Sequence, residues 1–140
     1  MRARGILGAA LLVALAVAAQ AQERTTSVQR GQTRYQRYCS ACHGAQGGGD
    51  GPMASSLRDA PPDLRRIVER SGSFDRRALA AAIDGRTKAH AHGSLDSPVW
   101  GWKGLRARPG SGFQPSPALR DLLDYLESIQ IRPEPKKETK

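Results

Sequence analysis

Sulfur is scarce in this chain of 140 residues, which has two cysteines and two methionines. There is no second cysteine pair, and His90 and His92 stand at i,i+2, so the usual spacing of a zinc site is missing. Aromatic residues make up 5% of the sequence, and no basic patch is interleaved with them, which speaks against nucleic acid as a partner. Strand-like alternation, hairpin dipeptides and internal repeats are also missing. A thioredoxin-like frame around the two cysteines therefore has no support. Only one long apolar run occurs, Ile6 to Ala19, and it is too short to span a membrane comfortably.

That run has the grammar of an export signal. Arg2 and Arg4 precede it, and Ala19-Gln20-Ala21 follows as a small-residue cleavage site. Residues 1–21 are read as a cleaved signal peptide, so the mature chain begins near Gln22 and is periplasmic, with no membrane span remaining. Acidic residues are few as well. The formal charge is +9 over the full sequence, and +7 without the signal, from 20 basic and 13 acidic residues. A basic balance of this size steers encounter with acidic protein partners or an anionic surface more than it fixes specificity.

What the chain does contain is Cys39-Ser40-Ala41-Cys42-His43. CxxCH is the attachment pattern of c-type haem. Each thiol adds S–H across one porphyrin vinyl group to give a thioether. Two cysteines three apart on a helical turn meet both vinyls along one edge of the ring. His43, next in the chain, then lies under the iron, where an imidazole nitrogen binds it.

Other residues lie around the motif in a particular order. Gly31, Tyr35 and Tyr38 precede it, and Gly44, Gly51-Pro52 and Pro61-Pro62-Asp63-Leu64 follow. Then come Ile83-Asp84-Gly85-Arg86, His92-Gly93, Pro98-Val99-Trp100-Gly101, and Leu122 with Tyr125-Leu126. In this the sequence resembles a class I-type monohaem cytochrome c over about residues 28–130. The resemblance implies one covalent haem c on Cys39 and Cys42, with His43 as proximal ligand. It implies a proline carbonyl on the other ring nitrogen of His43, and Pro52 is the proline expected in that role. It also implies that Arg86 meets a propionate or a nearby carbonyl, with a plain surface arginine as the alternative, that Trp100 packs near a propionate or is a plain core residue, and that Gly31 crosses the last helix against Tyr125.

The pattern along the chain is all-α, a small cytochrome c fold of three to five helices wrapped around the haem. Residues 22–27 are polar and read as a flexible lead. The domain spans 28–131, and the charged tail 132–140 is expected to be disordered. Val28, Gly31, Tyr35 and Tyr38 recur at helical steps over 28–38. Gly44 to Gly51 is a loop by composition. Asp63 caps a helix to about Arg70, which Ser71-Gly72-Ser73 breaks. Asp75 or Ser73 caps a helix over about 75–84 that Gly85 stops. Residues 87–115 form an aperiodic segment expected to cover the distal face of the haem. Ser116-Pro117 opens the last helix, with Leu119, Leu122, Leu123, Leu126 and Ile129 as its stripe and Pro133 as its end. With so few aliphatics elsewhere, the haem supplies much of the core, so the apo-protein is expected to fold poorly.

One position departs from the family pattern. Relatives often read Met-Pro-x-Trp-Gly, and that methionine is the distal ligand. In this chain Ser97 stands in its place before Pro98. A serine hydroxyl is a poor iron ligand. The candidates for the distal position are His92 and His90, then Met53, with a vacant or water-filled site as the alternative.

The expected function is one-electron transfer between redox protein partners, not catalysis, as a free carrier or a subunit of a larger oxidoreductase. The alternative is a haem-based binder or sensor of small ligands such as CO or NO. A peroxidase ranks below both, since no distal histidine–arginine pair stands at a suitable spacing.

Overall fold

The computed structural model describes residues 18, 20, 22, 23, 26–86, 92 and 114–131. These residues are all-α, with no strand among them. Helix α1 runs over 26–38. The short helix α2 is Ser40–His43, followed by 3-10 turns at Ala54–Ser56 and Leu64–Arg66. Then come α3 (Ile67–Ser71), α4 (Arg76–Ile83) and α5 (Pro117–Ser128). Five α-helices thus meet the upper end of the expected three to five.

The core sits where the two ends of the chain cross. Gly31 is buried in α1, and a methyl group there would collide with the Asp121 carbonyl and Tyr125 Cβ of α5. The absent side chain is what lets the helices approach, as expected. Tyr35, one turn on, is fully buried with its ring 5.1 Å from that of Tyr125. Leu119, Leu122, Leu123 and Leu126 complete the buried stripe of α5, and Ala80 of α4 closes against them. Val28, Leu79 and Ile83 pack around this cluster, half-buried.

Charged side chains clamp the crossing from outside. Arg30 donates from Nε and Nη2 to Asp121 at 2.9 Å each, and Arg34 adds a third bond at 3.0 Å. Arg76 of α4 bridges Asp124 and Glu127 of α5 at 2.5 and 2.7 Å. The caps follow the sequence. Asp75 accepts from the Arg77 and Ala78 N–H groups, and Ser116 accepts from Leu119 N–H with Pro117 at the first helical position.

Three expectations need correction. Residues 22, 23, 26 and 27 are helical instead of a flexible lead, because no glycine or proline interrupts this stretch and Ser27 is buried. The helix expected from Asp63 to Arg70 is split. Asp63 caps a 3-10 turn, and α3 begins only at Ile67, ending at Gly72 in the left-handed region. Helix α5 stops at Ser128, well before Pro133. There Gln130 Nε2 donates to the Leu126 and Leu64 carbonyls, and Ile131 N–H donates to the Arg65 carbonyl, drawing the chain off the helix axis. The signal segment up to residue 17, the tail 132–140 and most of the segment 87–115 lie outside the described residues.

Candidate haem-attachment site

The motif begins where α1 ends. Cys39 leaves the helix, and its carbonyl accepts from Cys42 N–H at 3.1 Å and His43 N–H at 2.9 Å. That single turn brings both thiols and the imidazole together, with Cys39 capping α2 and Cys42 and His43 within it. Both cysteines are free thiols and half-buried. Cys39 also packs against the hydrophobic core, and burial, with Cys42 nearby, pushes its thiol up to about 12. It is therefore held as S–H in the folded chain.

The loop after the motif is stitched to it. Gly49 N–H donates to the His43 carbonyl, Gly51 N–H to Cys42 and Met53 N–H to Ala41. Gly44, Gly47 and Gly49 all have positive φ, and Gly51 has no room for a side chain against the α2 backbone. The Tyr35 hydroxyl, held in the core, donates to the Gly44 carbonyl at 2.6 Å. The crossing of α1 and α5 thus reaches the motif through one buried hydrogen bond.

His43 Nδ1 lies 3.3 Å from the carbonyl of Pro62, not that of Pro52. A carbonyl only accepts, so Nδ1 carries the proton and Nε2 the lone pair. The assignment to Pro52 is corrected for a topological reason. Pro52 stays exposed beside Met53, whose N–H is tied to α2. The chain then returns, and Leu64 N–H bonds the Gly47 carbonyl at 2.7 Å, which brings Pro62 alongside the motif. Asp63 fixes that return by accepting from Arg65 N–H and pairing with its guanidinium, which lowers the Asp63 carboxyl to about 2. Pro62 was missed as a functional residue. Its signal was the Pro61-Pro62 pair, which has no N–H to join a helix or sheet, leaving its carbonyls for other partners.

The remaining candidates fall as follows. His92 lies with its ring centroid 6.1 Å from that of His43, and its Nδ1 donates to the Ala82 carbonyl at 3.0 Å. Burial is the main reason that the His43 imidazole titrates below its ordinary value, and the nearby His92 adds to it. His43 is accordingly neutral, the form that ligates a metal. Met53 is 51% exposed. Arg86 donates from Nε to the buried carboxylate of Asp84 at 2.7 Å. His90, Ser97 and Trp100 lie outside the described residues.

Two thiols and an imidazole with a fixed tautomer on one turn are the donor set of haem c, and these residues fit that group. A family model described as cytochrome c matches residues 28–130. The chain belongs to the cytochrome c family. Covalent haem c and haem-based electron transfer follow for this cytochrome c at the level of the family, whose members are typically carriers rather than enzymes. No curated protein and no solved structure matches this cytochrome c. No helix among the described residues is long and apolar enough to cross a membrane.

Proposed function

We propose that this chain is a periplasmic, class I-type monohaem cytochrome c that carries single electrons between redox protein partners. The observation that carries the proposal is the joining, on one helical turn, of two free thiols to an imidazole whose Nδ1 is already committed to Pro62. When bound, the haem supplies an Fe(III)/Fe(II) couple. The protein's residues do the rest. Cys39 and Cys42 would hold the ring through thioethers, each S–H adding across one vinyl group. His43 would offer Nε2 to the iron, and Pro62 holds that imidazole in the tautomer this requires. Electron transfer asks no proton transfer or substrate binding of these residues, so the cycle returns them unchanged.

The export signal over residues 1–21 supports the compartment. The mature charge of +7, from 20 basic and 13 acidic residues, favours acidic redox partners through faster, salt-sensitive encounter. The test is expression with haem-maturation machinery. The purified protein is expected to begin near Gln22, to keep its haem through denaturation, and to cycle reversibly between oxidised and reduced spectra. Cys39→Ala with Cys42→Ala should lose haem on denaturation. Wild-type protein that carries no covalent haem would end the proposal.

A further inference from the structure

Two imidazoles face one problem in the same way. His43 Nδ1 donates to a backbone carbonyl of the Pro62 segment, and His92 Nδ1 donates to the carbonyl of Ala82 at the end of α4. The Ala82 carbonyl belongs to the last turn of that helix, where carbonyls have no partner within the helix. Each ring therefore carries its proton on Nδ1 and its lone pair on Nε2. A backbone anchor of this kind orients an imidazole that ligates a metal, and it raises the basicity of the ligating nitrogen.

The spacing of the rings is the second observation. Their centroids are 6.1 Å apart. An imidazole nitrogen sits about 2 Å from a metal it ligates and about 1 Å from its own ring centre, so two rings sharing one axial metal stand roughly 6 Å apart. Rings that share an axis can take any dihedral angle, so the 53° between these planes is compatible.

We infer that His92 is the sixth ligand, opposite His43, making this a bis-histidine centre. The inference rests on the haem reading above and deepens it. Ser97 then marks a methionine position whose role has moved five residues towards the N-terminus, to a side chain anchored on α4. The chain is consequently an electron carrier with a closed iron and not a receptor for diatomic gases. Exchanging a thioether for an imidazole also lowers the reduction potential.

The test uses the full-chain holoprotein with ¹⁵N-labelled histidine. Magnetic resonance of the oxidised wild type should show hyperfine coupling to two axial imidazole nitrogens. Its optical spectrum should be low-spin, and adding CO to the reduced form should leave it unchanged. His92→Ala should lose the low-spin bands and gain a CO adduct, and added imidazole should restore the first and block the second. His92→Met should stay six-coordinate with a raised potential. If His92→Ala fails to hold haem, the labelled wild type still decides. One coupled imidazole, or immediate CO binding by the wild type, would overturn the inference while leaving covalent haem intact. So would a His92→Ala protein that remains low-spin while His90→Ala does not. Wild-type protein without covalent haem would instead remove the reading underneath.

Discussion

Tyr35 does two jobs with one side chain. Its ring fills the crossing of α1 and α5, and its hydroxyl reaches the Gly44 carbonyl directly after His43. Tyr35→Phe keeps the ring and removes the bond, leaving the Gly44 carbonyl with the Gly47 N–H as its remaining partner. The expected cost is about 0.5–1.5 kcal/mol, read as a lower denaturant midpoint at unchanged slope. The motif itself was legible because covalent chemistry dictates its spacing. The carbonyl behind His43 was not, since Pro52 and Pro62 are both chemically suitable and only the path of the loop chooses between them. His92 was a candidate by residue type alone. Its nearness to His43 depends on where the end of α4 lies in space relative to the motif, which no local pattern reveals. Asp121 was missed for a similar reason. Its burial and its two arginine partners come from a helix crossing, not from its neighbours in the chain.

At the scale of elements, the caps and the apolar stripes were readable because they depend on residues within one turn of each other. Ser116 illustrates this, and Ser116→Ala should cost about 1 kcal/mol of stability, with no change in the haem spectrum. The contact between α1 and α5 is far less forgiving. Gly31→Ala puts a methyl group into the Asp121 backbone, and overpacking of this kind costs about 1–3 kcal/mol, sometimes more. Thermal melts of the holoprotein should show a clearly larger loss for Gly31→Ala than for Gln32→Ala, an exposed neighbour on the same helix. The division of 63–71 into a 3-10 turn and α3 was not readable. It arises because Asp63 is engaged with Arg65 and the Pro62 carbonyl is engaged with His43.

Across the whole molecule, pH acts through the return loop. The Asp63 carboxyl titrates at about 2, below its ordinary value of 3.8, first because of its hydrogen bond from Arg65. A lowered carboxylate contributes stability above its unfolded value and loses it as pH falls through the folded one. The stability difference between wild type and Asp63→Asn should therefore hold steady from about pH 7 to about pH 5 and vanish by about pH 2. Comparing the two proteins removes the titration of other groups they share. The all-α architecture as a whole was legible from helical periodicity and the missing strand signals. The pairing of its ends follows from the crossing, where Arg30 and Asp121 are separated by 91 positions. That separation has a temporal meaning. A chain made from its N-terminus presents Cys39 and Cys42 before Leu122 and Tyr125 exist to close over Gly31 and Tyr35. Until the final helix packs, the thiols stand on an unsealed scaffold, and the crossing closes only when Leu122 and Tyr125 reach Gly31 and Tyr35.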